Sequence, residues 1–339
     1  MGSVDLPTRP TARGSAPPSA LPPAPPPGGP RHGQPPPGSA SGGPSGARRR
    51  PAPVLRPHIV NYTGFQTRFT APRHRLELPT GFVTLVFTFS EGLWVTRTGQ
   101  LSGARLRPAT VSRALISGPR TIPALGVHSG AVHGLEVNMS PLGAYRLFGV
   151  PMAQFDESLV DLSEVLGPEG RRLAERLQSL AGWAERFDLL DSVFAARLER
   201  GPVTTPEVRG ALAGLWADSG PGALARASAE TGWSGRHLRS RFREQVGLAP
   251  KGVARVFRLQ HALRRLTAGE APALVAAACG YHDQAHFSRD VKAMTGLAPS
   301  RFVQLRGGLP PGSVLDRLPG RITSVLLPPD LGQLPPDLG

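Results

Sequence analysis

One pattern occurs twice near the C-terminal end of this 339-residue chain, 48 to 49 residues apart. Gly232-Trp233-Ser234 leads to Gly247-Leu248-Ala249-Pro250, and Gly280-Tyr281 leads to Gly296-Leu297-Ala298-Pro299. Several anchors repeated at the same spacing predict two copies of one supersecondary unit. The repeat therefore limits this part of the chain to a tandem of small, similar motifs.

Each copy has the features of a helix-turn-helix. A short, Ala-rich helix is predicted over 224–230 and again over 274–279. Each is followed by a glycine that can adopt a positive φ, and then by a polar N-cap candidate, Ser234 or Asp283. The caps predict that a second helix begins just after them.

The second helix of each copy is predicted to expose polar and basic side chains. Arginine can bind guanine edges with two hydrogen bonds, and glutamine can bind adenine in the same way. Lys251, at the start of the linking helix 251–267, is expected to contact phosphate. The exposed positions are Arg236, Arg239, Ser240 and Arg243 in the first copy and Gln284, Ser288, Arg289 and Lys292 in the second.

The positive charge of the chain is concentrated in the repeat. Residues 220–306 contain 14 Lys and Arg against 5 Asp and Glu, and residues 1–53 contain 6 Arg against one Asp. The rest of the chain carries only +1 of the formal net charge of +15. An overall arginine-rich composition would spread the charge evenly, so the local excess favours a surface that binds phosphate.

The repeat resembles the tandem helix-turn-helix domain of AraC/XylS-type transcriptional regulators. Residues 232–250, 255–262 and 280–299 carry this resemblance. It implies that each recognition helix enters one of two successive major grooves of double-stranded DNA. The resemblance places Gly235, Arg236, Arg239 and Ser240 of the first helix, and Gln284, Ala285, Ser288 and Arg289 of the second, against the bases.

Three residues depart from the pattern of that family. Ser240 stands where a basic residue is common, and Arg241 stands where an aliphatic core residue is usual. Val291 replaces a common Phe, which predicts looser packing of the second unit, at a cost of about 1 kcal/mol or more.

Residues 54–200 are predicted to form a mainly β domain with following helices. In Phe82–Phe89 apolar and polar residues alternate as in a half-buried strand, and Ser140-Pro141 marks the start of helical periodicity. An apolar stripe over 169–200 predicts a helix that packs on the sheet or on a second subunit. Residues 79–87 and 140–149 resemble the cupin-like β-barrel sensor domains of some of these regulators, which often bind a small-molecule effector and sometimes dimerise.

The fold class expected is thus α+β, with a cupin-like barrel, an all-α DNA-binding domain over 201–306, and two disordered tails. Residues 1–53 hold 16 of the 38 prolines and few aliphatic side chains, and residues 307–339 are again rich in Pro and Gly. For the run Arg48–Arg50 we favour a solvated charge cluster over a DNA-binding arm.

The sequence gives little support for a metal site, a redox-active cysteine, a cofactor site or a catalytic site. His128 and His133 lack the spacing of a cupin metal site, and Cys279, the single cysteine, is expected to be a small buried side chain rather than a redox sensor. We expect no cofactor and no catalytic residues. The chain shows no signal peptide pattern and no run of about 18 apolar residues, so we expect a cytoplasmic protein without membrane contact.

The function predicted is a sequence-specific DNA-binding transcription regulator controlled by a small-molecule effector. The resemblance leaves open whether the protein forms a homodimer and whether it contacts RNA polymerase. Two alternatives are a repair-type protein with the same module, which would need a reactive cysteine with zinc ligands, and an architectural protein that binds DNA without reading bases. Gln284 and Ser288 beside Arg289 argue against the latter.

Overall fold

The computed structural model describes residues 45–90, 93–97, 113–155, 159–217, 222–313 and 315–328. Its N-terminal half is an antiparallel sheet followed by helices, as expected for the α+β class. The strands of this half are β1 Ser45–Arg49, β2 Ile59–Glu77, β3 Val83–Thr88, β4 Leu93–Arg97, β5 Ala114–Ser117, β6 Ala124–Met139 and β7 Leu159–Asp161.

Two long strands form the centre of the sheet. The strands are ordered β1-β2-β6-β3-β5-β7, and β4 pairs with β6 beyond the end of β3. Strands β2 and β6 run antiparallel from the pair Ile59–Met139 to the pair Glu77–Ala124. Among the strands that the structure describes, β1 and β7 do not pair with each other, so this set forms an open sheet and not a closed barrel.

The alternation in Phe82–Phe89 separates two faces of the sheet, as predicted. Val83, Leu85 and Phe87 are fully buried, whereas Thr84 and Thr88 on the opposite face are half-buried. The buried face packs against four helices and forms one hydrophobic core with them. These helices are α1 Pro141–Phe148, α2 Leu162–Leu166, α3 Pro168–Ser179 and α4 Trp183–Arg200.

The apolar stripe of 169–200 lies on two helices, α3 and α4, because residues 180–182 between them are not helical. Arg186 stabilises this break: its Nε donates to the Leu177 carbonyl oxygen (3.0 Å) and its Nη2 to that of Leu180 (2.6 Å). These bonds satisfy carbonyl groups that the end of a helix leaves free. The stripe packs on the sheet of the same chain, the first of the two alternatives.

The C-terminal half is helical. Helix α5 (Pro206–Ala217) packs on the duplicated region. The first unit comprises α6 (Ala223–Thr231) and α7 (Gly235–Val246), and the second comprises α9 (Pro272–Ala278) and α10 (Gln284–Thr295). Helix α8 (Pro250–Thr267) connects the units, and α11 (Pro299–Arg306) ends the domain.

The expectation of a disordered tail after Gly307 is wrong for residues 307–328. After α11 the chain returns to the N-terminal sheet, where β8 (Ser324–Leu327) pairs with residues 74–77 of β2. Ile322, Val325 and Leu327 are buried in the same core as residues of helices α5 and α7–α11. The high proline and glycine content predicted disorder for this segment. It is ordered because a few apolar residues at its end pack against residues that are distant in the sequence. Residues 329–339 lie outside the described part.

The N-terminal tail ends earlier than predicted. Residues 45–49 form β1, which pairs with β2, and Arg49 forms salt bridges with Asp188 (2.5 Å) and Asp191 (2.7 Å) of α4. Arg48 donates to the carbonyl oxygen of Asp316 (2.9 Å). The prediction of a solvated charge run over 48–50 is therefore wrong for Arg49, which is half-buried and paired with two carboxylates, whereas Arg48 and Arg50 are exposed. The remainder of that tail, 1–44, is not among the described residues.

Candidate nucleic-acid interface

The turns of the two units have the local geometry that the repeat predicts. Gly232 and Gly280 adopt φ values of 66° and 71°, in the left-handed region that glycine tolerates best. The Ser234 hydroxyl accepts a hydrogen bond from the backbone N–H of His237 (3.3 Å), and the Asp283 carboxylate accepts one from that of His286 (2.6 Å). Both second helices are thus capped by the predicted residues.

Apolar side chains fix each recognition helix on the body of the domain. Leu238 and Phe242 of α7 and Phe287 and Val291 of α10 are buried. All four belong to one core that includes the linking helix α8. Val291 is fully buried although it is smaller than the Phe common in the family.

The opposite face of each recognition helix is open to solvent. Ser288 is half-buried, and the other ten predicted DNA-contacting residues are exposed: Gly235, Arg236, Arg239, Ser240, Arg243, Lys251, Gln284, Ala285, Arg289 and Lys292. Within the described part of the chain, Arg236, Arg239, Lys251, Arg289 and Lys292 form no salt bridge. These cationic groups are available to phosphates or bases.

Helix α8 holds the second unit in place. Arg255 of α8 pairs with Asp290 of α10, with an Nε–Oδ1 distance of 2.6 Å. The Arg258 guanidinium lies over the Tyr281 ring, 4.8 Å from its centroid. The 18 residues of α8 give an axis of about 27 Å, which is shorter than the roughly 34–36 Å of one turn of DNA.

Arg241 faces the N-terminal domain. Its Nη1 lies 2.6 Å from an Oε2 oxygen of Glu244, and the other oxygen of Glu244 accepts from the Tyr145 hydroxyl of α1 (3.3 Å). At the end of α7, the backbone of Gly247 lies so near the Met152 carbonyl oxygen that a Cβ would be 3.1 Å from it. Arg241 thus belongs to a contact between the two halves of the chain, which sequence reasoning missed.

A buried charged group on the sheet was also missed. Arg317 forms salt bridges with Glu77 (Nη2–Oε1, 2.8 Å) and with Glu136 (Nε–Oε2, 2.9 Å). Burial would raise the pKa of Glu77, but Arg317 and Arg75 outweigh it and lower that pKa. A sequence cannot reveal this cluster, because Arg317 lies about 180 residues or more from its partners.

His128 lies beside this charged group, and His133 lies elsewhere. Burial, together with Arg75 and Arg317, lowers the pKa of His128 to about 3. The His133 ring contacts Phe89 and Trp183 edge-on. The residues described by the structure include no group of three or more side chains that could bind a metal. Cys279 is buried, and burial raises the pKa of its thiol.

Two family profiles match separate parts of the chain. Residues 227–304 match the profile of a helix-turn-helix domain, and residues 47–161 match a domain of unknown function, DUF6597. No curated protein matches the chain. No helix in the described ranges is long and apolar enough to cross a membrane.

Solved structures of ToxT from Vibrio cholerae are similar to this chain at low identity. One at 1.65 Å resolution shares 11% identity with a TM-score of 0.40, and covers 72% of this chain and 97% of its own. A second, with an unsaturated fatty acid bound, shares 12% identity with a TM-score of 0.41, and covers 77% of this chain and 99% of its own.

Proposed function

We propose that this chain, whose C-terminal domain is a helix-turn-helix domain of the AraC/XylS type, is a transcription regulator that reads a specific DNA sequence with both units. The domain itself supports a DNA-binding regulator. The observation that carries sequence-specific reading is the pair of capped recognition helices, each with exposed base-reading side chains and a buried apolar face.

The two units have different tasks at the DNA. Arg236 and Arg239 in α7 match guanine, whereas Gln284 of α10 matches adenine. The two half-sites should therefore differ in sequence, and they should lie about 10–10.5 bp apart, in successive major grooves. Lys251, at the exposed start of α8, is placed to contact phosphate.

We further propose that the N-terminal domain binds a small-molecule effector that controls this activity. The polar face of the sheet supports this proposal: it carries half-buried Thr84 beside buried Asn138 and Glu136, joined by side-chain hydrogen bonds. RNA polymerase and a second copy of the chain are further candidate partners. Crosslinking of the DNA-bound chain to polymerase and sedimentation of the free chain test these two contacts.

Selection of bound sequences from random DNA, followed by affinity measurements on the enriched site, tests sequence-specific reading. Arg289→Ala should weaken binding to that site by about 1–3 kcal/mol and relax discrimination at one or two base pairs. Lys251→Ala, the matched loss of one charge, should weaken binding to all sequences alike and reduce the slope of affinity against salt by about one.

Three results would contradict the proposal. If selection enriches no sequence, the chain binds DNA as an architectural protein would. If Arg289→Ala weakens binding to the selected site and to random DNA equally, Arg289 contacts phosphate. Protection of only one major-groove segment per chain would limit base reading to a single unit.

A further inference from the structure

The segment 307–328 follows α11 and is here called the strap. A buried ion pair joins it to the end of α11. Arg306, the last residue of α11, pairs with Asp316, and both side chains are fully inaccessible to solvent. Asp316 also accepts from the backbone N–H groups of Thr323 (2.7 Å) and Gly312 (2.9 Å). The start of the strap is thus fixed to the end of α11.

The far part of the strap is attached to the N-terminal sheet. Strand β8 extends the sheet next to β2. Arg317 bridges Glu77 of β2 and Glu136 of β6, and its carbonyl oxygen accepts from Asn61 Nδ2 of β2 (2.9 Å). The strap therefore contacts both central strands of the sheet through two salt bridges and one side-chain hydrogen bond, in addition to the pairing of β8 with β2.

The strap also contacts the linking helix. Gln260, fully buried in α8, donates through Nε2 to the carbonyl oxygens of Pro79 (2.8 Å) and Ile322 (2.9 Å). Its Oε1 accepts from the Ile322 N–H (3.2 Å). Pro79 lies in the turn before β3, so one side chain connects α8, the sheet and the strap.

A cation–aromatic contact supports the same junction. The Arg321 guanidinium lies 3.7 Å from the centroid of the Trp216 ring of α5. Burial lowers the pKa of Arg321 to about 9. Arg321 thereby fixes the strap to the first helix of the C-terminal half as well.

We propose that the strap positions α8 on the sheet and thereby transmits displacements of β2 and β3 to the two recognition helices. This inference rests on the proposed function. The recognition residues are exposed with the strap in place, so the strap does not cover them. Its proposed role is to set the position of the recognition helices. Gln260 and Arg317 are positioning residues for DNA reading, because each connects the sheet to α8 directly or through the strap.

The test compares Arg317→Met with Arg176→Met in the full chain. Arg176 lies exposed on α3, so both variants lose one positive charge, but only the first loses the bridge to Glu77 and Glu136. Arg317→Met should increase hydrogen exchange at least tenfold in both β8 and α8. It should also weaken binding to the selected site at least fivefold more than Arg176→Met does, with equal binding to random DNA.

A milder variant covers the case in which Arg317→Met does not fold. Lys at position 317 keeps the charge but has a single donor group, so Arg317→Lys should change exchange and affinity in the same direction by a smaller factor. Two outcomes would overturn the proposal. One is unchanged hydrogen exchange in β8. The other is faster exchange in β8 with neither a change in the exchange of α8 nor a change in affinity for the selected site. If the wild-type chain selects no site, the proposed function fails, while the joint exchange of β8 and α8 still tests the strap.

Discussion

At the scale of single residues, burial decides which charged side chains are functional candidates. The proposed DNA-contacting arginines are exposed, whereas Arg75, Arg186, Arg306 and Arg317 are enclosed by partners. An enclosed charge needs its partners, since an unpaired one costs several kcal/mol. The same residue type thus supplies both the proposed DNA-binding surface and the buried framework.

The lowered pKa of His128 predicts that the stability of the fold depends on pH. Its pKa is lowered to about 3 in the folded chain, so it stays neutral, whereas in the unfolded chain it takes up a proton below pH 6.5. The free energy of unfolding should therefore fall as pH drops from about 6.5 towards 3, by at most about 2 kcal/mol between pH 7 and 5 from this group.

Urea denaturation at pH 7, 6 and 5 measures this dependence. His128→Gln should flatten it, because the group that takes up a proton on unfolding is gone. His282→Gln serves as the control, since the His282 side chain is 88% exposed. An equal slope in wild type and His128→Gln would show that another group carries the effect.

At the scale of elements, short-range bonds define the recognition helices. The caps Ser234 and Asp283 and the glycines before them set where α7 and α10 begin. The packing of these helices on α8 then sets their direction. An element of this type depends on neighbouring residues for its bounds and on the rest of the domain for its orientation.

The cap of α7 makes a measurable contribution. Ser234→Ala removes the acceptor for the His237 N–H and should lower the free energy of unfolding by about 1 kcal/mol. Ser240→Ala removes a hydroxyl from the exposed middle of the same helix and should change stability by less than about 0.5 kcal/mol. Equal effects of the two variants in urea denaturation would mean that the cap is not a stabilising element.

At the scale of the whole molecule, the chain has two hydrophobic cores, of which one lies within the N-terminal half and the other contains residues from both halves. One core joins the sheet to α1–α4. The other joins the DNA-binding helices to Leu76, Leu78, Leu125 and Val127 at the end of the sheet, and to the strap. Because this second core contains residues from both halves, the C-terminal domain should not unfold independently of the end of the sheet.

The buried pair Arg306–Asp316 tests this connection. Asp316→Ala leaves the Arg306 charge buried without its carboxylate and should destabilise the chain by about 3–5 kcal/mol. Asp188→Ala, which breaks a salt bridge of a carboxylate that is 71% exposed, should cost less than about 1 kcal/mol. Calorimetry measures both, and a loss for Asp316→Ala as small as that for Asp188→Ala would refute the structural role of the pair.

The sequence by itself determined the features that depend on neighbouring residues. The repeat predicted both helix-turn-helix units, their glycine turns and their caps, and alternation predicted β3 with its buried face. These features follow from bonds between residues at most a few positions apart, or from a periodicity that a single element imposes. Such signals are contained in a short stretch of sequence.

Only the tertiary structure decided the conformation of the segments 45–49 and 324–327. Residues 45–49 are too poor in apolar residues to predict a strand and residues 324–327 are too short, yet each pairs with β2. Arg317 finds its carboxylates 240 and 181 positions away, and Arg241 faces Tyr145 through Glu244. Such contacts depend on surfaces that exist only after the sheet and the helices have formed, so no local pattern in the sequence can reveal them.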